Sequence, residues 1–380
     1  MNILVAPDSF KNSLSATEVA NSIAEGLSFV LQQGDINQLP LADGGEGTVD
    51  ALVQSTGGRK KYVMVHDPFM RDIEAPLGLL GSGETAVIEM ASASGLERLS
   101  DEEKDPYRAT SYGTGELIKA VLDQGCKELI LGIGGSATVD GGTGLMAALG
   151  LKFLGQDGTE FIPTGGNIRE ITTLDDSSLD KRLKTLRIRI ACDVNNPLTG
   201  SNGAAFVYGP QKGVKSPELS FFDDNLTHLA QLLEAHSGWN LKDYPGMGAA
   251  GGLPSALTAF SEASLEKGFE LIAELVKLED YIRKADLVIT GEGKLDNQTR
   301  FGKTPQGVAR LCQKYNKILI GVGGTITQDA DLLYEEGFHL LFPVVDRPMS
   351  LQESLRNASY LLTKTGERIG RMLLLSRRVP

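Results

Sequence analysis

Ile3-Leu4-Val5-Ala6 is a short apolar run closed by Pro7, and a brief loop later comes Ser15-Ala16-Thr17-Glu18, with apolar residues at Ala16, Ala20, Ile23, Ala24, Leu27 and Leu31. The first run has the length and continuous apolar character of a strand buried on both faces. The second opens with a capping box, where a serine side chain and a glutamate three residues on satisfy each other's backbone amides. The helical spacing that follows gives one buried face. Strand, loop, helix is the first part of an α/β unit. The last third of the chain repeats the scheme: Leu287-Val288-Ile289, Ile318-Leu319-Ile320 and Leu340-Leu341-Phe342 alternate with helical stretches at 305–314 and 330–336. Apolar strands alternating with helices predict a parallel sheet covered on both faces.

The middle differs. Runs at 61–65, 75–80 and 87–90 follow one another with short turns, as in an antiparallel meander, and further strands are expected at 129–133 and 188–191. The stretch 175–184 is charged and irregular. The expected architecture is therefore α/β with two domains: a discontinuous parallel-sheet domain over 1–60 and 267–380, and a mixed α/β domain over 61–266 inserted into it. The length of 380 residues fits two cores better than one.

Composition narrows the function. Lys and Arg number 37 against 49 Asp and Glu, for a net charge of −12 and a pI near 5.0. An acidic surface repels phosphate backbones and anionic lipid, so neither nucleic acid nor membrane is an expected partner. The span 129–151 is weakly charged, but Asp140, its hydroxyls and its glycines argue against a membrane segment. Cys126, Cys192 and Cys312 are too few and too widely spaced for a disulfide framework or a zinc site, which suits a reducing cytoplasm. The 45 glycines stand well above the ordinary ~7% and fall in tight clusters.

Those clusters carry the chemistry. Gly134-Gly135-Ser136-Ala137-Thr138-Val139-Asp140-Gly141-Gly142-Thr143-Gly144 follows an expected strand and precedes a helix. Consecutive glycines let amides converge on one point, which suits a phosphate; the plainer reading is a tight turn that serves packing. The Walker pattern fails here, and fails again at Gly302-Lys303-Thr304, where Asn297 replaces the first glycine. Gly132-x-Gly134-x-x-Ala137, with Asp157 twenty residues on, keeps a nicotinamide-dependent dehydrogenase as an alternative. A non-catalytic nucleotide sensor is another. Asp8-Ser9-Phe10-Lys11 lies past the end of the first strand, the edge where parallel sheets bind ligands. Asp43-Gly44-Gly45-Glu46 sets two carboxylates three residues apart, the hard oxygen ligands magnesium takes. Asp193 follows a strand and is placed to accept a proton from an alcohol. Gly291-Glu292-Gly293-Lys294-Leu295-Asp296 offers Glu292 and Asp296 as metal or base candidates, and Lys303 as a counter-charge to phosphate. Each also has an ordinary reading as a turn, a cap or a solvated charge.

Taken in order, Ala6-Pro7-Asp8-Ser9-Phe10-Lys11, Ala42-Asp43-Gly44-Gly45-Glu46-Gly47-Thr48, Gly134-Gly135-Ser136-Ala137-Thr138, Asp140-Gly141-Gly142, Cys192-Asp193-Val194, Asn196-Pro197-Leu198, Gly248-Ala249-Ala250-Gly251-Gly252 and Gly291-Glu292-Gly293 resemble the bacterial glycerate kinases of the type-1 family. Asp296, Gln298-Thr299, Gly302-Lys303 and Pro305 continue the match, which covers nearly the whole chain. The resemblance implies ATP- and Mg2+-dependent phosphorylation of D-glycerate, most often to 2-phosphoglycerate, in glyoxylate or glucarate catabolism. It also implies a flavodoxin-like domain, an inserted restriction-endonuclease-like domain, and a site between them. Asn12 and Val139 stand where the family often has glycine and asparagine. Within that frame Gly134, Gly135, Ser136, Thr138, Gly141, Gly142 and Lys303 are expected to hold ATP, and Asp43, Glu46 and Asp296 magnesium. Asp8, Ser9, Lys11 and Asn196 are expected to bind substrate. Asp193 is the expected base, with Asp296 in reserve and Lys11 stabilising transferred charge.

Overall fold

The computed structural model describes residues 1–31, 35–300 and 304–376. Its strands are β1 (Asn2–Val5), β2 (Asp35–Gln38), β3 (Arg59–His66), β4 (Asp72–Leu79), β5 (Thr85–Glu89), β6 (Glu128–Gly132), β7 (Lys152–Leu154), β8 (Glu160–Phe161), β9 (Thr173–Asp175), β10 (Arg187–Ala191), β11 (Ala263–Glu266), β12 (Leu287–Leu295), β13 (Ile318–Ile326) and β14 (Leu340–Pro343). Contacts divide the chain into one unit of Met1–Asp43, Asp50–Gly57 and Phe269–Pro380, and another of Gly44–Val49 and Gly58–Gly268. The segment read as one two-carboxylate loop is thus divided, Asp43 going with the first unit and Glu46 with the second.

The first unit is built on a parallel sheet of order β14-β13-β12-β1-β2. Ile3 and Val5 are fully buried and pack with Val19, Ala20, Ile23 and Leu27 of the helix Ala16–Ser28. That helix starts as its sequence requires: Ser15 Oγ accepts from the Glu18 amide at 3.3 Å, and the Ser15 amide donates to Glu18 Oε2 at 2.9 Å. The helix expected at 305–314 is Thr304–Lys314. The stretch 330–336 is instead a 3-10 turn over Gln328–Tyr334, closed by i→i+3 bonds such as Ala330 N–H to the Thr327 carbonyl at 3.0 Å.

β12 differs from expectation in length. The sequence suggests a strand ending near Ile289 and a loop beyond it. The ladder to β13 instead continues through Glu292↔Gly323 and Lys294↔Thr325 to Leu295↔Ile326. Gly291 allows this, since a Cβ there would sit 2.2 Å from the Val322 carbonyl oxygen. Glu292 is therefore mounted on a strand.

The second unit holds a six-stranded sheet of order β11-β10-β6-β5-β4-β3. β5, β6, β10 and β11 run parallel, and the β3–β4–β5 meander is antiparallel, as its short connections suggest. A small antiparallel sheet, β8-β7-β9, lies beyond what the sequence pattern suggests. So does the long helix Leu219–Ser237, whose Phe222, Leu226, Leu229 and Leu233 enter the core. No helix among the described residues is long and apolar enough to cross a membrane.

Candidate functional site

In the first unit, backbone hydrogen bonds carry β1 past its formal end. Ala6 N–H donates to the Ile289 carbonyl (2.7 Å) and Asp8 N–H to the Gly291 carbonyl (2.9 Å) on one side, and on the other Leu41 N–H donates to the Pro7 carbonyl (2.9 Å). This stitching brings Asp8 beside Glu292 on one flank and Asp43 on the other. It does so at β1, where the strand order reverses, the place at which open α/β sheets bind ligands. Asp8, Ser9, Lys11, Asp43 and Glu292 line a cavity of ≈ 320 Å³ there, with Leu351 and Leu355 on its apolar side.

The Asp8 carboxylate is fixed at both oxygens. Oδ1 accepts the Ser9 amide at 2.6 Å, and Oδ2 accepts the Thr304 hydroxyl at 2.7 Å. Burial, and then the neighbouring Asp43 charge, raise its pKa to about 7; Glu292 adds to the rise, while the two hydrogen bonds oppose it. Glu292 Oε1 accepts the Thr299 hydroxyl at 2.7 Å. Asp296 is buried, takes the Gln298 amide at 2.8 Å and pairs with Lys294 Nζ at 2.8 Å. It does not line the cavity.

The second unit presents the glycine-rich segment at the carboxyl end of β6. Gly134 and Gly135 are exposed, and the amides of Gly134, Gly135 and Ser136 donate to no other group among the described residues. The rest of the segment is buried and engaged. Gly141 N–H donates to the Gly251 carbonyl (2.9 Å), and the amides of Gly142 and Gly144 donate to the Asp140 carboxylate, each at 3.3 Å. Gly251 makes the first bond possible. Its φ is +70°, and a Cβ there would lie 1.9 Å from the Thr138 carbonyl oxygen. Thr138 is fully buried, and its hydroxyl has no partner among the described residues. Packing accounts for the second half of the cluster, and the open donors are confined to 134–136.

The remaining expected residues are dispersed. Asp193 is exposed just after β10, where Oδ1 accepts the Gly268 amide at 2.9 Å. Asn196 is used in the fold, donating to the Asn202 carbonyl (2.8 Å) and accepting the Tyr208 hydroxyl (2.7 Å). Glu46 is exposed; burial and then the Glu46 charge raise the pKa of Glu97. Lys303 lies outside the described residues. No group of three or more His, Cys, Asp or Glu among the described residues is spaced to hold a metal ion, neither Asp43, Glu46 and Asp296 nor the Asp8, Asp43 and Glu292 that share the cavity. Asp157, which kept the dehydrogenase alternative open, accepts the Thr159 amide at 3.0 Å in the β7–β8 turn.

Two residues of interest carry no readable signal. Thr304 meets Asp8 from 296 positions away. Lys212, in a Pro-Gln-Lys turn, is 1% exposed.

Sheets with parallel cores in both units, with a polar cavity at the strand-order reversal of the first and a turn of open amides in the second, are the features of an α/β enzyme. Residues 3–374 match the profile of the glycerate kinase family, and the chain belongs to that family. It is 44% identical over 377 residues to the glycerate kinase of Bacillus subtilis (strain 168), covering 99% of each chain. It is 43% identical over 378 residues to the glycerate 2-kinase of Escherichia coli (strain K12), covering 100% of this chain and 99% of that one. A crystal structure assigned to a glycerate kinase 2 of Salmonella typhimurium LT2 matches with a TM-score of 0.90 at 43% identity, covering both chains fully. A kinase acting on an alcohol replaces the dehydrogenase and sensor alternatives.

Proposed function

We propose that the chain transfers the terminal phosphoryl group of ATP to the 2-hydroxyl of D-glycerate, giving 2-phosphoglycerate and ADP. The observation that carries this reading is the cavity at the end of β1, where Asp8 is clamped by Ser9 and Thr304 between Asp43 and Glu292, with Lys11 at the wall. Phosphoryl transfer needs little covalent help from the protein. It needs positioning, charge neutralisation and a place for the alcohol proton.

Lys11 pairs with the glycerate carboxylate or the transferring group. Asp8 receives the alcohol proton as the P–O bond to the leaving ADP breaks and the bond to the glycerate oxygen forms. With no cation beside it the Asp8 carboxyl is raised to about 7; a cation held by Asp43 and Glu292 would lower it, leaving Asp8 ionised and able to accept the proton. Asp193, the base expected from sequence, is an exposed acceptor of the Gly268 amide, so Asp8 has the stronger claim. The open amides at 134–136 suit the phosphates of ATP.

Asp8, Asp43 and Glu292 share one cavity, and after burial the charges of the latter two add to the raised Asp8 pKa, which suits a cation. Asp43 and Glu292 would hold magnesium, which takes one or two carboxylates and completes its shell with phosphate oxygens. Bound there, it would neutralise charge on the phosphoryl oxygens. The sheet order supports a flavodoxin-like first unit, whereas the restriction-endonuclease-like description of the second rests on resemblance alone. The E. coli relative, a glycerate 2-kinase by name, supports the 2-hydroxyl as acceptor.

The test is direct. Protein, ATP, Mg2+ and D-glycerate should release ADP, and phosphorus NMR should show 2-phosphoglycerate. A 3-phosphoglycerate signal would overturn the regiochemistry, and no ADP release would overturn the reading.

A further inference from the structure

Lys212 is among the largest fully buried side chains of the second unit, yet it carries an amine. Burying an ammonium is costly unless its protons are taken up. Nζ donates to Ser136 Oγ at 2.6 Å and to the Thr138 carbonyl at 2.7 Å. The charged group facing it is Asp140, and burial pulls the Lys212 pKa down to about 7 against the attraction of that carboxylate. The proposed reaction gives this lysine no part. Both of its partners nevertheless belong to the turn with the open amides.

As an ammonium Lys212 can only donate, so Ser136 Oγ accepts. The Ser136 proton is then turned toward some other acceptor, and Ser136 Oγ donates to nothing among the described residues. The second bond fixes Thr138, two residues on. Lys212 therefore grips the turn from below at two points, immediately after the open amides of Gly134, Gly135 and Ser136. Such a turn is held ready before an anion arrives, which lowers the ordering cost of binding.

We propose that Lys212 is a positioning residue for nucleotide binding: by holding Ser136 Oγ and the Thr138 carbonyl it orients the Ser136 hydroxyl as a fourth donor and fixes the three amides toward the phosphates of ATP. This rests on the assignment of the turn to ATP phosphates. Lys212 touches no substrate and acts through Ser136.

The experiment is steady-state kinetics on the full chain for Lys212→Met, Ser136→Ala, the double variant and Gly134→Ala, with KM measured separately for ATP and D-glycerate. The first two should each raise the KM for ATP by about 10-fold, the scale of one lost charge-assisted hydrogen bond, and leave the KM for glycerate unchanged. The double variant should be no worse than the worse single variant, because both remove one linkage. Multiplying effects, or equal rises in both KM values, would overturn the proposal in favour of a purely structural lysine. If Lys212→Met does not fold, Ser136→Ala alone decides, and an unchanged KM for ATP refutes the proposal. Gly134→Ala separates the two levels, because its Cβ would press on Gly45 Cα at 3.1 Å and disturb the turn itself. If it raises the KM for ATP while Ser136→Ala and Lys212→Met do not, only the role of Lys212 falls. If none of the variants moves that KM, the assignment of the turn to ATP falls with it.

Discussion

Replacing Asp8 with asparagine should make the protein more stable and much less active, with a gain in stability that depends on pH. Asparagine keeps the shape and an acceptor oxygen for Thr304 or Ser9 but carries no charge. The Asp8 pKa rises from 3.8 to about 7 on folding. Its ionisation therefore opposes folding at neutral pH by up to ~4 kcal/mol, at ~1.36 kcal/mol per pH unit. The partial exposure of Asp8 and the loss of charge from its two hydrogen bonds bring the expected net gain to ~2 kcal/mol. The sign follows from linkage. Between pH 3.8 and about 7 the folded state holds a proton that the unfolded state has lost, so wild-type stability falls as pH rises. Above about 7 the difference is constant. Denaturant unfolding of both proteins from pH 4.5 to 8 should show curves that start close together and separate by ~2 kcal/mol, with a melting gain of about 4–8 °C at pH 8. Turnover should fall by ~10²–10⁴-fold. Equal stabilities across that range, or near-normal turnover, would refute the assignment of Asp8 as a strained, proton-accepting carboxylate.

Asp193→Asn keeps an oxygen for the Gly268 amide, so turnover should stay within about threefold of wild type, whereas a general base there would cost ~10²-fold or more in kcat. Lys11→Met should raise the KM for D-glycerate by about 10–100-fold, the scale of a lost hydrogen bond to a charged group, with no change in melting temperature. Wild-type kcat/KM should climb as pH rises toward about 7, following the ionisation of Asp8, with added Mg2+ moving the limb to lower pH, and Asp8→Asn should abolish that limb in a pH–rate profile. Gly251→Ala should destabilise by about 3 kcal/mol or more in denaturant unfolding, since its Cβ meets the Thr138 carbonyl at a positive φ.

The fold was readable where pattern is local. Ile3–Val5 and the Ser15/Glu18 box announce a buried strand and a capped helix because apolar periodicity and capping depend on neighbours in sequence. The sequence suggests too short a β12, because glycine looks like a loop signal until a partner backbone such as Val322 is set against it. The site followed the same rule. Asp8 and Lys11 stand past the end of the first strand and Asp43 in a carboxylate-bearing glycine loop, patterns that could be picked out from neighbours in sequence. Thr304 and Lys212 could not: one meets its partner from 296 positions away, and the other looks like any surface lysine until its burial is known. The cluster at 134–144 looks uniform in sequence, since glycines that bare amides and glycines that admit a neighbouring backbone are written with the same letter.

The pairing of Ile3 with Leu287 has a consequence for how the molecule is made. A ribosome adding ~5–20 residues per second needs roughly 15–60 s to travel from one partner to the other. During that interval the first apolar strand has emerged with one edge bare, while the stretch Gly58–Gly268, which holds its own core, is free to fold. The carboxylate cavity is thus completed last, and any nascent chain that stalls before Leu287 exposes a sticky edge of the kind chaperones exist to shield.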